Sequence, residues 1–478
     1  MNRKTLLVLL IIISAVSLRG HWGIAQEDDS SLPEPVATEG RILPLEEFID
    51  LSVKKDTVFE EILIDELTLK YQKDLNLPAR DLVLSVKTQY DFILDQNREE
   101  TGGSVSLEKL FPYTGTEINA GYTVTPSLTS SDSASSFTFE FTQPIAENAF
   151  GKVTRLKDTI IGLENEVARH QIVEAYEDYL AATLTSYCNW YEAYENLKIG
   201  ESSYRENMKL LDNIKERQRN SIALPIDVNK ITLQVLDKKE KLIELKEEYE
   251  SALSEITKSI RYQGSEALIP QRPSLYDDTP IAFEKDFALF RRSSRTWKIL
   301  RLLDEKTHFE VEQNANELFP SIDLFVGYNV KGENFGITSE NSKAYAGVSI
   351  EWPFPDQVQR AEYEISKVER DKARLKVGNT YYQYALIESL ALQIEREKKL
   401  KSISDEKISL AAAVLADETE NYSFGKITLN DYIQAVNALD SSRFSEILHA
   451  SLQKKLMIEW LRITDRLISK KKIKTSYK

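Results

Sequence analysis

The helical pattern between Pro144 and about Asn220 constrains the fold most, because it is too long for an ordinary globular domain. Apolar residues recur there at helical spacing, and no proline interrupts the run. A helix of about 70 residues, rising about 1.5 Å per residue, would reach roughly 100 Å. Because a helix gains most of its stability by packing its apolar face, the sequence predicts long helices lying side by side.

Two short stretches have the residues that reverse a helix. In the later one, Gly425 suits the left-handed conformation that ends a helix, Thr428 is a good N-cap, and Asp431 falls in the next first turn. In the earlier one, Pro225 suits a first turn and Asp227 follows it. We therefore expect two helical hairpins, each with a tight tip.

Apolar residues also repeat every seven positions in both halves of the chain. The repeats are Val228, Val235, Leu242, Tyr249 and Ile256 in the first half, and Ala361, Val368, Leu375 and Tyr382 in the second. A seam of this period needs a partner helix, either in a tunnel wall or coiled coil or in a helical bundle. Further single helices are predicted over residues 45–75, 283–317 and 358–422.

Segments with the alternation of β-strands separate the helical regions. They are residues 81–94, 114–125 and 137–143 in the first half, and residues 320–331 and 344–352 in the second. Phe137, Phe139 and Phe141 fall on one face of their strand, which fits a lipid-facing or half-buried sheet. Residues 96–104 and 127–136 are predicted loops, and residues 105–111 are compatible with a further strand.

The first residues have the pattern of a secretory signal peptide. Arg3 and Lys4 precede an apolar run over residues 6–16, and small residues allow cleavage after Ala25. The signal is thus predicted over residues 1–25 and a flexible N-terminus over 26–43. At the other end, residues 469–478 form a basic tail, which is either solvated or held at an anionic surface.

The charge and the single cysteine exclude two further classes. The chain has a net charge of −15, and removing a signal with three basic residues and no acid leaves about −18, which argues against nucleic-acid binding. A lone Cys188 excludes an intramolecular disulfide, and we interpret it as a small apolar residue on a helix.

No motif for catalysis, a cofactor or a metal stands out in the sequence. There is no nucleophile elbow, zincin pair or phosphate-binding loop, and the histidines do not pair at ligand spacing. Asp95, Asn97 and Glu99 imitate the start of a calcium loop, but Glu100 stands where glycine is needed. We expect a protein that is not an enzyme and needs no cofactor.

The order helix, strands, long helix, tip and shorter helix occurs twice. Pro78 corresponds to Pro320, Gln143 to Trp352, and Asp227 to Asp431, at separations of 242, 209 and 204 residues. The predicted organisation is a first repeat at 44–263 with strands 81–143 and hairpin 146–262, a Pro-rich connector at 264–280, and a second repeat at 281–468 with strands 320–352 and hairpin 358–468.

In this combination the chain resembles the TolC-like outer-membrane efflux proteins. The resemblance rests on the proline before the strands at Pro78 and Pro320, and on the proline before each long helix at Pro144 and Pro353. It rests most on the second tip, where Tyr422, Gly425, Thr428 and Asp431 match the family pattern. The first tip is a weaker match, with Ser221 where glycine is usual.

The resemblance implies a homotrimer of mainly long helices in an α+β chain. Each subunit would give four strands to one twelve-stranded outer-membrane β-barrel, and the helices would form a tunnel through the periplasm. Helices 226–262 and 283–317 would lie end to end beside one long helix. Such a protein is a passive export duct of a tripartite efflux or type I secretion system, for small molecules or polypeptides. Its partners are outer-membrane lipid, a periplasmic adaptor that docks at the tips, and an inner-membrane pump.

The resemblance also suggests the functional residues. The adaptor-docking residues are Ser221, Ile222, Ala223, Leu224, Pro225, Phe424, Gly425, Lys426 and Ile427, and the gate residues are Asp431, Tyr422 and Asp227. Family members close the mouth with acidic rings and an Arg–Tyr–Asp network. Here Gln434 replaces the second acid, and Ile427 stands at the arginine position. The mouth is therefore closed by a different set of residues.

Two roles remain open for Asp431 at this stage. Repeated around a mouth, its carboxylate would favour opening or cation binding; alternatively it only caps its helix. We expect the second tip to carry gating and the first, with Ser221 and Pro225, to be the stiffer docking point. The alternative to a channel is a soluble periplasmic coiled-coil adaptor or scaffold, which would show one hairpin between β-domains. A cell-surface hydrolase is a more distant alternative.

Overall fold

The computed structural model describes residues 40–76, 81–93, 98–125, 134–274, 281–333, 336–337 and 342–467. The predicted signal peptide, Pro78, the calcium-like Asp95 and Asn97, and the basic tail lie outside these residues, as does most of the predicted flexible N-terminus.

The first half contains a short strand, two helices, four strands and a long helical hairpin. These elements are β1 (Arg41–Leu43), α1 (Leu45–Lys55), α2 (Thr57–Asn76), β2 (Leu82–Ile93), β3 (Arg98–Phe111), β4 (Thr116–Thr125), β5 (Ala134–Pro144), α3 (Lys152–Arg219) and α4 (Pro225–Ser259). The 68 residues of α3 rise about 100 Å at the usual helical pitch.

The second half repeats this order. Its elements are β6 (Leu268–Pro270), α5 (Phe283–Ser293), α6 (Arg295–Asn316), β7 (Ser321–Glu333), β8 (Ser342–Glu351), α7 (Gln357–Gly378), α8 (Thr380–Ser423) and α9 (Leu429–Ile463). The predicted class, mainly long helices in two tandem repeats of helix, strands and helical hairpin, is confirmed. Among the described residues, no helix is both long and apolar enough to cross a bilayer.

The main sheet contains six strands in the order β2-β3-β4-β5-β7-β8, and every neighbouring pair is antiparallel. The four strands implied by the family resemblance are therefore too few. Residues 98–104, predicted as a loop, belong to β3, as do the ambiguous residues 105–111. Their polar side chains hid the strand, because pairing with β2 on one side and β4 on the other overrides a weak strand propensity.

One face of this sheet is apolar across all six strands. A single row of directly paired residues runs Leu84, Leu107, Ala120, Phe139, Tyr328 and Ala344. The next row, on the opposite face, runs Ser85, Ser106, Gly121, Thr138, Asn329 and Lys343. Because side chains alternate along each strand, the two faces of the sheet differ sharply in polarity.

Two predicted single helices are each interrupted once. The helix predicted over residues 45–75 breaks at Asp56, whose carboxylate accepts a hydrogen bond from the Val58 amide (3.0 Å) and starts α2. The helix predicted over residues 358–422 breaks at Asn379, where ψ is 46°. Gly378 and Asn379 are both poor helix formers, so two in succession favour a break.

The helices pack around α3. Near its start, Lys152 lies 3.1 Å from Glu312 of α6, and further along, Ser186 donates to Glu255 of α4 (2.6 Å). Thus α6 and α4 lie one after the other along α3, as the resemblance implied for residues 283–317 and 226–262. Beside the α4 end, α3 also contacts α9, which packs against α8.

Candidate functional site at the two helical tips

The second tip is a short reversal between α8 and α9. Gly425 has φ of 70°, and the Lys426 amide donates to the Asn421 carbonyl (2.9 Å). This bond back over five residues closes the end of α8 in the Schellman manner. No other group lies within 4 Å of the position where a Cβ of Gly425 would stand, so its backbone conformation alone favours glycine.

The first tip uses the same backbone geometry without glycine. Ser221 has φ of 60°, and the Ile222 amide donates to the Arg217 carbonyl (2.8 Å). The weaker match seen in the sequence is therefore a difference of side chain, not of path. A serine in this left-handed region carries a strain that glycine avoids.

The helices that leave the tips are capped to different degrees. At α9, the Thr428 amide and hydroxyl both donate to Asp431 (3.0 and 2.7 Å), and the Asp431 amide donates to the Thr428 hydroxyl (3.3 Å). These bonds hold the pKa of Asp431 below its usual range. At α4, Asp227 accepts from the Leu224 amide (3.1 Å), but leucine has no acceptor to return.

Tyr422 joins the two tips. Its ring stacks on Tyr432 at 5.4 Å, and the Arg217 guanidinium lies 5.0 Å from the ring centroid on the α3 side. Burial raises the pKa of Tyr422; the nearby Arg217 opposes this rise, and Asp227 adds to it. The structure thus brings Tyr422 and Asp227 of the predicted gate together, whereas the hydrogen bonds of Asp431 stay within its own helix start.

Arg217 is a site residue that sequence reasoning missed. It lies in the last turn of α3, where a basic residue suits the negative helix end, so its position has an ordinary structural explanation. Only the packing of α3 beside α8 shows that its side chain reaches an aromatic ring of the other hairpin.

Both tips rest on one apolar core. Its buried members are Leu211, Ile214, Ile231, Val235 and Leu429, drawn from α3, α4 and α9. Because the two hairpins share this core, one tip cannot separate from the other without exposing apolar surface.

The ends of the tips are apolar and exposed. Ile222, Leu224 and Phe424 are 69%, 64% and 65% exposed, and the Lys426 ammonium lies 5.3 Å from the Phe424 ring centroid. Ser221, Pro225 and Gly425 are also exposed, whereas Ala223 and Ile427 are half-buried. Most of the predicted docking residues therefore face outward, together with Ile226, which the sequence analysis left out.

A buried polar network ties the hairpins together above the tips. Lys238 of α4 lies 2.8 Å from Asp440 of α9, which also accepts a hydrogen bond from Ser203 of α3. Beside it, the Gln234 side chain donates to Asn437 (2.8 Å). A sequence signal exists: Asp440 lies four residues after Val436 on the apolar stripe of α9, where a charge is unexpected.

Neither metal chemistry nor thiol chemistry is visible near the tips. No group of three or more His, Cys, Asp or Glu side chains in the described part of the chain could hold a metal ion. Cys188 lies buried in α3, and burial raises its pKa to about 11, so the thiol stays protonated at neutral pH.

The fold is shared with several solved outer-membrane proteins. The outer-membrane channel OprN has a TM-score of 0.68 at 13% identity, covering 88% of this chain and 89% of that one. For VceC of Vibrio cholerae the TM-score is 0.65 at 12% identity, with 88% and 95% covered. The open state of the Neisseria gonorrhoeae channel MtrE gives 0.65 at 12%, with 88% of both chains covered.

No protein-family model and no curated protein matches the sequence. Identities this low establish a common fold, and at that level the resemblance to TolC-like proteins is confirmed.

Proposed function

We propose that this protein is a passive duct of the outer membrane that extends into the periplasm and exports small molecules or polypeptides. It belongs to a tripartite efflux or type I secretion system and takes its energy from an inner-membrane pump. The observation that carries this proposal is the apolar face that continues across all six strands of the sheet. The solved structures with this fold that are named above are themselves described as outer-membrane proteins or channels.

The two faces of the sheet suit two different surroundings. On the apolar face, Leu84, Phe139 and Tyr328 are at least 40% exposed in the single chain. Exposed apolar rows of this breadth are costly in water but stable against acyl chains. The opposite face, with serine, threonine, asparagine and lysine, suits a water-filled passage.

The edges of the fold support a ring of copies. Within the described residues, β2 and β8 end the sheet, and the helices α4 and α8 end the layer α4-α3-α9-α8. Both end helices expose apolar residues: Leu233, Leu236 and Ile243 on α4, and Ile403, Leu410 and Val414 on α8. Because the two edges differ, identical copies can join them head to tail, and such contacts form closed rings. We infer the homotrimer that the family resemblance implies.

The tips are the proposed contact with the periplasmic adaptor. Exposed apolar side chains at Ile222, Leu224 and Phe424 offer a small hydrophobic docking surface at the far end of the helices from the sheet. Behind that surface, Tyr422, Asp227 and Asp431 are the proposed gate. The predicted repeat boundaries, 44–263 and 281–468, place one tip in each repeat and are proposed as the two homologous units.

The adaptor alternative disagrees with the architecture. A periplasmic adaptor has one helical hairpin between β-domains, whereas the described chain has two hairpins and one six-stranded sheet that both repeats build.

The test uses two adjacent positions on opposite faces of the sheet. Phe139→Arg places a charge on the apolar face, and Thr138→Arg places the same charge on the polar face. An arginine facing lipid costs about 2–4 kcal/mol at mid-membrane. We expect wild type and Thr138→Arg to fractionate with outer membranes as a heat-sensitive trimer, and Phe139→Arg to be depleted there. Recovery of the wild-type protein in the soluble periplasm would refute the proposal.

A further inference from the structure

A second region of interest lies far from the tips, where α3, α8 and α9 meet the segment after β6. These elements enclose a cavity of about 360 Å³. Its basic lining residues are Arg272, Lys398, Lys401 and Lys454, and its acidic ones are Asp405 and Glu446. In a chain with a net charge of −15, a cavity with an excess of cations is a local departure.

The acidic side chains of the cavity are already engaged. Lys401 lies 3.1 Å from Asp405 and 3.8 Å from Glu446, so one lysine pairs with both acids. A neighbouring acid, Glu192, accepts from Lys455 (2.7 Å). The positive charge of the other lining cations is therefore not balanced by the acids of the cavity.

Two of those cations are held close together. Burial lowers the pKa of Lys454, and the nearby Arg272 lowers it further. Arg272 also acts electrostatically on Tyr191, which lines the same cavity on α3. Like charges held together at a partly buried position are unfavourable unless an anion joins them.

Neutral lining groups complete a site for an anion with several oxygens. Ser402 and Gln453 add hydroxyl and amide donors, and Cys188 and Ala450 form part of an uncharged lining. Arginine and lysine bind phosphate oxygens through short, charge-assisted hydrogen bonds, which strengthen in a partly enclosed space.

We propose that this cavity binds a phosphate group, held by Arg272, Lys398 and Lys454. The phosphate belongs either to a small soluble molecule or to a lipid headgroup, since both present the same oxygens. The site goes beyond the proposed export function and does not depend on it, because none of its residues lies in the tips or the sheet.

The test measures phosphate binding to the purified full-length protein in detergent by calorimetry. The probes are inorganic phosphate, pyrophosphate and detergent-solubilised phosphatidylglycerol, each compared with sodium chloride at equal ionic strength. Saturable binding of a phosphate probe beyond chloride is expected. Binding of pyrophosphate or phosphate identifies a soluble ligand, and binding of phosphatidylglycerol alone identifies a headgroup; either result supports the site.

Adjacent lysines on α8 supply the matched control. Lys398 lines the cavity, whereas Lys399 is exposed and does not. Lys398→Gln is expected to weaken binding about tenfold, the effect of losing one charged hydrogen bond, and Lys399→Gln to leave it unchanged. Arg272→Gln should weaken binding at least as much. Equal effects of the two lysine variants, or no binding beyond chloride by any probe, would overturn the proposal.

Discussion

At the scale of single residues, the two tips solve one backbone problem with different side chains. Ser221 and Gly425 share the left-handed conformation, at φ of 60° and 70°. Thr428 gives α9 a reciprocal cap with Asp431, whereas Leu224 gives α4 only half of one. The local strain is therefore concentrated in the first tip, and the tightest local hydrogen bonding in the second.

Exchanging these residues should change local stability in opposite directions. Ser221→Gly removes a strained left-handed serine and is expected to stabilise the first tip by about 1 kcal/mol, while Gly425→Ala should destabilise the second by a similar amount. Hydrogen exchange of the tip amides, followed by mass spectrometry, measures both changes. Unchanged exchange at both tips would show that their backbone conformation is not strained.

The contact between Arg217 and Tyr422 predicts a measurable coupling between the hairpins. A double-mutant cycle of Arg217→Met and Tyr422→Leu should give about 0.5–1 kcal/mol, as expected for a cation over an aromatic ring. Tyr422→Phe keeps the ring and should keep the coupling. Additive effects of the two substitutions would place the guanidinium away from the ring in solution.

At the scale of helices, the hairpins are held together by polar groups as well as by the apolar core. Asp440 of α9 is buried, and its carboxylate binds Lys238 of α4 and Ser203 of α3. Any opening that moves one hairpin relative to the other must first break this network or carry it as a unit.

Removing one partner from this network should be costly. Lys238→Met leaves the Asp440 carboxylate without its cation and is expected to lower stability by about 3–5 kcal/mol, seen as a lower unfolding temperature. The double variant Lys238→Met with Asp440→Leu should recover much of the loss. Lys241→Met is the control: it breaks an exposed pair with Glu244 in the same helix and should cost under about 1 kcal/mol. Equal losses for both lysine variants would contradict a buried ion pair.

At the scale of the whole molecule, the six strands of each chain change the expected size of the assembly. The resemblance implies four strands per subunit, but β3 and β4 form an additional hairpin whose residues continue both the apolar and the polar rows. Neither strand is an appendage to the sheet, because each pairs along its length on both sides.

A trimer joined through β2 and β8 is therefore expected to close a sheet of eighteen strands instead of twelve. The joining pair would be antiparallel, like every neighbouring pair within the chain, because β2 and β8 run in opposite directions across the six strands. A wider sheet follows, since the diameter grows with strand number. Electron cryomicroscopy of the purified assembly counts the strands directly, and a twelve-stranded sheet with β3 and β4 outside it would contradict this expectation.

The sequence by itself determined the features that depend on near neighbours along the chain. Helical spacing predicted the long helices, and Gly425, Thr428 and Pro225 predicted where the hairpins turn, because caps and left-handed residues act within one or two helical turns. The duplication of the whole order was also readable, since it needs only the succession of such local signals. These were enough to indicate the fold and both tips of the candidate site.

Only the tertiary structure decided which distant residues meet. The polar start of β3 becomes a strand because β2 and β4 pair with it, and Arg217 reaches Tyr422 because α3 packs beside the second hairpin. Asp440 and Lys238 are separated by about 200 residues and form an ion pair only where three helices converge. Such contacts depend on the relative placement of whole elements, and no spacing within one element specifies that placement.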